Sequence, residues 1–145
     1  MEINKILIVA DESLPSVKAI RYGLNLAREL KVKAALICIV EPTLAIGNVD
    51  AGIFPDDSLT TLKGKAADFL NRMKLMHGEG IVIEIMTPIG DIQTSVADAV
   101  KQWHADVIVT GTHGRTGLGR LFKGSVAESI IHHSAVPVFV IPADT

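Results

Sequence analysis

Ten residues in the last third of the chain, Gly111-Thr112-His113-Gly114-Arg115-Thr116-Gly117-Leu118-Gly119-Arg120, include four glycines and no acidic side chain. Glycine adopts positive φ and has no Cβ to block an approaching group, so such a loop can turn several backbone N–H groups towards one anion. Gly124-Ser125 then opens a helical pattern, and the free N–H groups and positive dipole end of a helix favour phosphate. The Ser125 hydroxyl adds a donor, while Arg115, Arg120 and Lys123 bring positive charge nearby. The same glycines would also serve as plain turn residues, and composition alone leaves that alternative open. Two phosphate motifs of fixed spacing do not fit. Gly119 to Gly124 has the gap of a Walker A loop, but Ser125 stands where its lysine belongs and Lys123 precedes the second glycine. Gly117-Leu118-Gly119 begins a dinucleotide fingerprint whose third glycine would fall on Phe122.

Catalysis would require a nucleophile with its base, an acid–base pair or a metal cage, and the sequence places none of them. His113 lies inside the loop, but the nearest acidic residues in sequence, Asp106 and Glu128, fall outside it, so it reads as a packing or hydrogen-bonding residue. His132 and His133 are adjacent and cannot share one helix face; with His77 and His104 they read as helix-end residues favourable to the dipole. Cys38, the single cysteine, sits in an apolar run and reads as a small buried hydrophobe, which leaves neither a disulfide within the chain nor a cysteine zinc cluster.

The elements that must hold the glycine loop follow from hydrophobic periodicity. Ile6 to Val9 suits a strand buried on both faces, followed by a helix that starts at Ser13 and Pro15 and carries Val17, Ile20, Leu24, Ala27 and Leu30. Ala34 to Val40 gives a second strand, and Pro42 to Pro55 a long connection. Asp56-Asp57-Ser58 offers caps for a helix striped with Leu62, Ala66, Phe69, Met73 and Met76, closed by Gly78 and Gly80. Ile81 to Met86 is a third strand; Pro88-Ile89-Gly90-Asp91 leads into a helix with Ile92, Val96, Val100 and Trp103 on one side. Val107 to Val109 is a fourth strand, 111–123 the glycine loop, Ser125 to about Ser134 a helix, and Val138 to Ile141 a fifth strand. Strands alternating with helices argue a parallel sheet covered on both faces, and a ligand of such a sheet sits at the carboxyl ends of its strands.

The bulk properties limit the partners. With 145 residues and 48% hydrophobic composition, the expectation is one domain over residues 1–145. Fourteen basic and sixteen acidic residues, mixed along the chain for a net charge of −2, lack the electrostatic footprint of a nucleic-acid binder. The longest apolar runs are of strand length, far short of a membrane span, and Met1 to Lys5 opens no signal-peptide pattern, so a cytoplasmic protein is expected.

The spacing Gly-x2-Gly-x9-Gly-Ser, realised as Gly111, Gly114, Gly124 and Ser125, resembles the ATP-binding signature of the universal stress protein family. The likeness extends to Lys-Ile-Leu-Ile-Val-Ala-Asp-Glu-Ser at the start, to Pro-Ile-Gly-Asp-Ile, and to Val-Pro-Val-Phe-Val-Ile near the end, and is weakest over 42–60. It implies a three-layer α/β/α, Rossmann-like fold of the adenine nucleotide alpha hydrolase type, with a five-stranded parallel sheet in the order 3-2-1-4-5 and its switch point between strands one and four. By that resemblance Val9, Ala10 and Asp11 meet adenine and ribose, and backbone groups of Val40 read the adenine edge. Thr110, Gly111, Gly114 and Arg115 line the ribose and phosphates, and Gly124, Ser125 and Val126 close on the phosphate tail. Val9 and Val40 would be buried in any such sheet, and Asp11 would equally serve as a helix cap. Glu12 departs from the usual pattern, bringing a negative charge that either weakens binding or favours a divalent cation. The implied ligand is ATP, or else AMP or ADP, with or without magnesium. The implied role is a regulator coupled to an unidentified protein partner. Two alternatives stay open: a slow ATP hydrolase with water activated by Asp11 or His113, and a ligand-free homodimer paired through strand five, Val136 to Ile141.

Overall fold

The computed structural model describes residues 2–11, 13–42, 55–112 and 126–143, with the backbone alone for 55–58 and 126. Its elements run β1 (Lys5–Val9), α1 (Leu14–Leu30), β2 (Lys33–Ile37), α2 (Pro55–His77), β3 (Ile83–Met86), α3 (Ile92–Trp103), β4 (Val107–Gly111), α4 (Val126–His133) and β5 (Val138–Ile141). The strands form one parallel five-stranded sheet in the order β3-β2-β1-β4-β5, as the family resemblance implies.

Each central strand is apolar on both faces because helices cover both. Ile6, Ile8, Leu36 and Val109 meet Ile20 and Leu24 of α1 and Phe69, Leu70 and Met73 of α2. Leu7, Val9, Ile37 and Ile108 meet Val96, Ala99 and Trp103 of α3 and Ile130 of α4. The two faces alternate residue by residue along β1 and β4, the period-two signature of a strand. This three-layer arrangement is the one that the alternation of strands and helices predicts.

Capping residues set the helix limits. Ser13 is the N-cap of α1, with its hydroxyl accepting from the Ser16 N–H, and Asp91 is the N-cap of α3, accepting from the Thr94 N–H at 2.8 Å. Lys31 and His104 close these helices in the left-handed conformation at φ 59° and 65°. His104 thus lies at a helix end, as expected.

Several sequence expectations shift. The α1 stripe loses Leu30, which is exposed, and gains Ala19 and Gly23. In α2 the buried set is Ala66, Phe69, Leu70 and Met73, while Met76 faces solvent; Asp56-Asp57-Ser58 lies inside the helix, which already starts at Pro55. β3 starts at Ile83 rather than Ile81. β2 stops at Ile37; beyond it the Cys38 N–H donates to the Met86 carbonyl and Val40 pairs through an isolated parallel bridge to Ile89. Cys38 is partly exposed rather than buried, packing at the margin of the α1 and α2 core. β5 spans Val138–Ile141 as its periodicity predicts, two residues shorter than the Val136 to Ile141 edge named for pairing. The Pro42 to Pro55 connection lies almost wholly outside the described residues.

Candidate functional site

β1 and β4 are neighbours in the sheet but far apart in sequence, with α1 leaving the end of one and α4 following the other. Their register pairs Val9 with Thr110, so the last residues of both strands reach the same rim. The order reverses at this pair, since β1 continues to β2 on one side and β4 to β5 on the other, which opens a crevice at their carboxyl ends.

On the β1 side, Val9 is buried and Ala10 extends the ladder, its N–H donating to the Ile37 carbonyl at 3.0 Å. Asp11 is exposed and held by two local hydrogen bonds: its N–H donates to Ser16 Oγ at 2.8 Å, and its Oδ1 accepts from the Ser13 N–H at 2.8 Å. The carboxylate therefore fixes the turn into α1, while the N-cap is Ser13. Ser16 escaped sequence reasoning. The signal was there, for Ser13 and Ser16 stand at the N-cap and N3 positions of a capping-box spacing, with the N3 side chain reaching back beyond the cap.

On the β4 side, Thr110 is 2% exposed and faces the same layer as Val9, and its hydroxyl finds no partner among the described residues. Buried polar groups are rarely left so. Gly111 lies on the opposite face, where a Cβ would stand 2.7 Å from the Pro15 carbonyl oxygen and 3.4 Å from Ala19 Cβ. Its missing side chain admits the first turns of α1 against the strand end. Thr112 ties the rim to β5: its N–H donates to the Ile141 carbonyl at 3.1 Å, and its Oγ1 accepts from the Ala143 N–H at 3.0 Å.

Val40 is buried beyond the end of β2, and both of its backbone groups are engaged: its N–H donates to the Pro88 carbonyl at 2.9 Å and its carbonyl accepts from the Gly90 N–H at 3.0 Å. A purine edge at Val40 would share these groups with the segment after β3. Gly114, Arg115, Gly124 and Ser125, together with His113, Arg120 and Lys123, lie outside the described residues; Val126 is the first residue of α4. The structure thus brings Val9, Ala10, Asp11, Thr110 and Gly111 to one rim, with Val40 at the end of the adjoining strand.

The remaining histidines lie elsewhere. His132 and His133 are exposed on α4, with His132 Nε2 3.9 Å from Glu128 Oε2 and His133 Nδ1 2.9 Å from the Ser129 carbonyl. Among the described residues no group of three His, Cys, Asp or Glu side chains is placed to hold a metal ion, and no helix is long and apolar enough to cross a membrane.

The profile of the universal stress protein family matches residues 2–142. Universal stress protein MJ0531 of Methanocaldococcus jannaschii is 32% identical over 139 residues, a match covering 95% of this chain and 81% of that protein. The fold is similar to that of MJ0577, at a TM-score of 0.80 and 21% identity over 100% of this chain and 99% of that one. It is similar also to a universal stress family protein from Arabidopsis thaliana with AMP bound, at a TM-score of 0.64 and 18% identity over 98% and 93% of the two chains. The universal stress protein from Archaeoglobus fulgidus in complex with dAMP gives 0.66 and 19% over 97% and 99%.

Proposed function

The chain belongs to the universal stress protein family, and on that premise we propose that it binds an adenine nucleotide in the crevice between β1 and β4 and acts as a nucleotide-dependent regulator. The observation that carries this reading is the rim itself: the sheet order reverses between Val9 and Thr110, which brings a buried hydroxyl without a partner among the described residues and the exposed carboxylate of Asp11 to the same end of the sheet. Relatives of the same fold with AMP and dAMP bound give further support.

In this reading Val9, Ala10 and Asp11 hold adenine and ribose, and Val40 reads the base edge. Thr110 and Gly111 line the ribose; Gly114, Arg115, Gly124, Ser125 and Val126 close on the phosphates. The ligand is ATP, AMP or ADP, and magnesium would accompany the longer phosphate tails, offsetting the charge of Glu12. Asp11 Oδ1 is engaged by Ser13, which leaves Oδ2 for a ribose hydroxyl or a metal-bound water. The protein works in the cytoplasm as a single domain and a homodimer joined at β5, and nucleotide occupancy changes its affinity for a protein partner.

Calorimetric titration with AMP, ADP and ATP tests the site. Saturable binding is expected, weakened in Gly114→Ala and Gly124→Ala, where a methyl would stand in the path of phosphate. At a free ligand concentration of about 100 Kd, binding adds about 2.7 kcal/mol of stability, visible as a raised melting temperature. Unchanged affinity in both variants would remove the phosphate assignment. A single-turnover assay with magnesium addresses the hydrolase alternative: cleavage lost in Asp11→Ala while binding survives would make this an enzyme.

A further inference from the structure

On the α3 side of the sheet a cleft of about 490 Å³ lies beside α3, at the ends of β2 and β3. That size falls within the range of small-molecule sites. Its floor is apolar, made by Ile37, Met86, Ala99 and Trp103. The Trp103 ring is fixed, because its Nε1 donates to Glu84 Oε2 at 2.8 Å and Lys5 Nζ stands 5.2 Å from its centroid.

Polar groups meet this floor from two sides. Ser95 lines the cleft at 9% exposure, and its hydroxyl has no hydrogen-bond partner among the described residues. Lys63 comes from α2, where its Nζ donates to the carbonyl and hydroxyl oxygens of Thr87, leaving one N–H uncommitted among the described residues. Asp98, exposed on α3, supplies a carboxylate on the same lining.

We propose that this cleft is a second ligand site, distinct from the nucleotide rim, and that it takes a small zwitterion with an apolar side chain, of which a free aliphatic amino acid is the simplest. Among the described residues one cationic and one anionic side chain line the cleft, which gives a phosphate no excess of positive charge. A zwitterion answers both: its ammonium meets Asp98, its carboxylate meets the free N–H of Lys63 and the Ser95 hydroxyl, and its side chain covers Ile37 and Met86. The proposal stands independently of nucleotide binding.

Trp103 is the only tryptophan and lines the cleft, so its emission reports occupancy without a label. Titration of the full chain with L-leucine, in the absence of nucleotide, is expected to give a saturable change. Ser95→Ala is expected to weaken binding about tenfold, the loss of one hydrogen bond to a charged group. Asp98→Lys, at an exposed position, is expected to abolish it. 4-Methylpentanoate, which has the same carbon frame without the ammonium, is expected to bind more weakly than leucine. Absence of a saturable response, equal affinity in wild type and both variants, or equal binding of 4-methylpentanoate would each overturn the proposal. Circular dichroism of the variants separates lost binding from lost fold.

Discussion

Gly111 serves two purposes at once. It is the first glycine of the spacing that led to the phosphate reading, and it is also the point where β4 passes against α1, its absent Cβ replaced by the Pro15 carbonyl. Backbone cannot yield as a flexible side chain can, so Gly111→Ala is expected to cost about 1–3 kcal/mol of folding stability. A lowered urea midpoint without nucleotide would show the packing role; an unchanged midpoint would refute it. Asp91 gives a pH-dependent case. The Thr94 N–H donates to its carboxylate and holds its pKa below the usual 3.8. A depressed carboxyl pKa contributes stability that is present above the unfolded value and lost as pH falls through the folded one. Wild type should therefore exceed Asp91→Ala in urea midpoint at pH 7, and the gap should shrink towards about pH 3. An equal gap at both would mean that the charge contributes nothing. At this scale the sequence showed which residue types were present but not their second duties. Asp11 was legible as a cap or a ligand group, but its hold on Ser13, and that of Ser16 on Asp11, depend on a chain path that spacing does not specify.

Elements were easiest to read where one face does all the packing. α3 shows its Val96 and Trp103 stripe in sequence and keeps it in the fold, because its outer face is consistently polar. α2 keeps Ala66, Phe69 and Met73 of its stripe, and errs only at its end, where Met76 is apolar yet exposed and Leu70 joins the core instead. β2 was read three residues too long for another reason. Composition reports burial, and Val40 is buried, but its partner is Ile89 of the connection after β3, which no local pattern names. Gly23 of α1 was likewise passed over, since a glycine inside a helix reads as a weakness. In the structure it lets α1 pack tightly on the sheet, where a Cβ would lie 2.7 Å from Ile8 Cδ1 and 3.4 Å from Val109 Cγ1. Gly23→Ala gains about 1 kcal/mol of helix propensity. It should still be destabilising overall, because Ile8 is fully buried and overpacking costs about 1–3 kcal/mol. A raised urea midpoint would show that Ile8 can move aside.

For the whole molecule, the order of strands followed from the family resemblance, and periodicity alone supported only a parallel sheet. The proposed pairing of two copies rests on β5. Its ladder with β4 uses the Pro137 and Ile141 carbonyls, so alternation turns the backbone groups of Val138 and Val140 outwards, beside Phe139 at 41% exposure. If two copies pair there, Phe139→Lys should shift sedimentation from dimer towards monomer, since a charge on an edge strand opposes pairing. A wild-type protein that sediments as a monomer would remove the interface. The opposite end of the sheet carries a different consequence. The Asp106 carboxylate accepts from the N–H groups of Asn4 and Lys5, at 2.8 and 3.0 Å, clasping the start of the first strand to a residue 102 and 101 positions later. On the ribosome β1 is made before every other strand of the sheet, yet one edge of its apolar run Ile6 to Val9 stays open until β4 emerges. The nascent chain must therefore carry this apolar strand unfinished while everything from α1 to α3 is made, and the cost of placing the rim at a topological reversal is borne during birth, before any ligand is met.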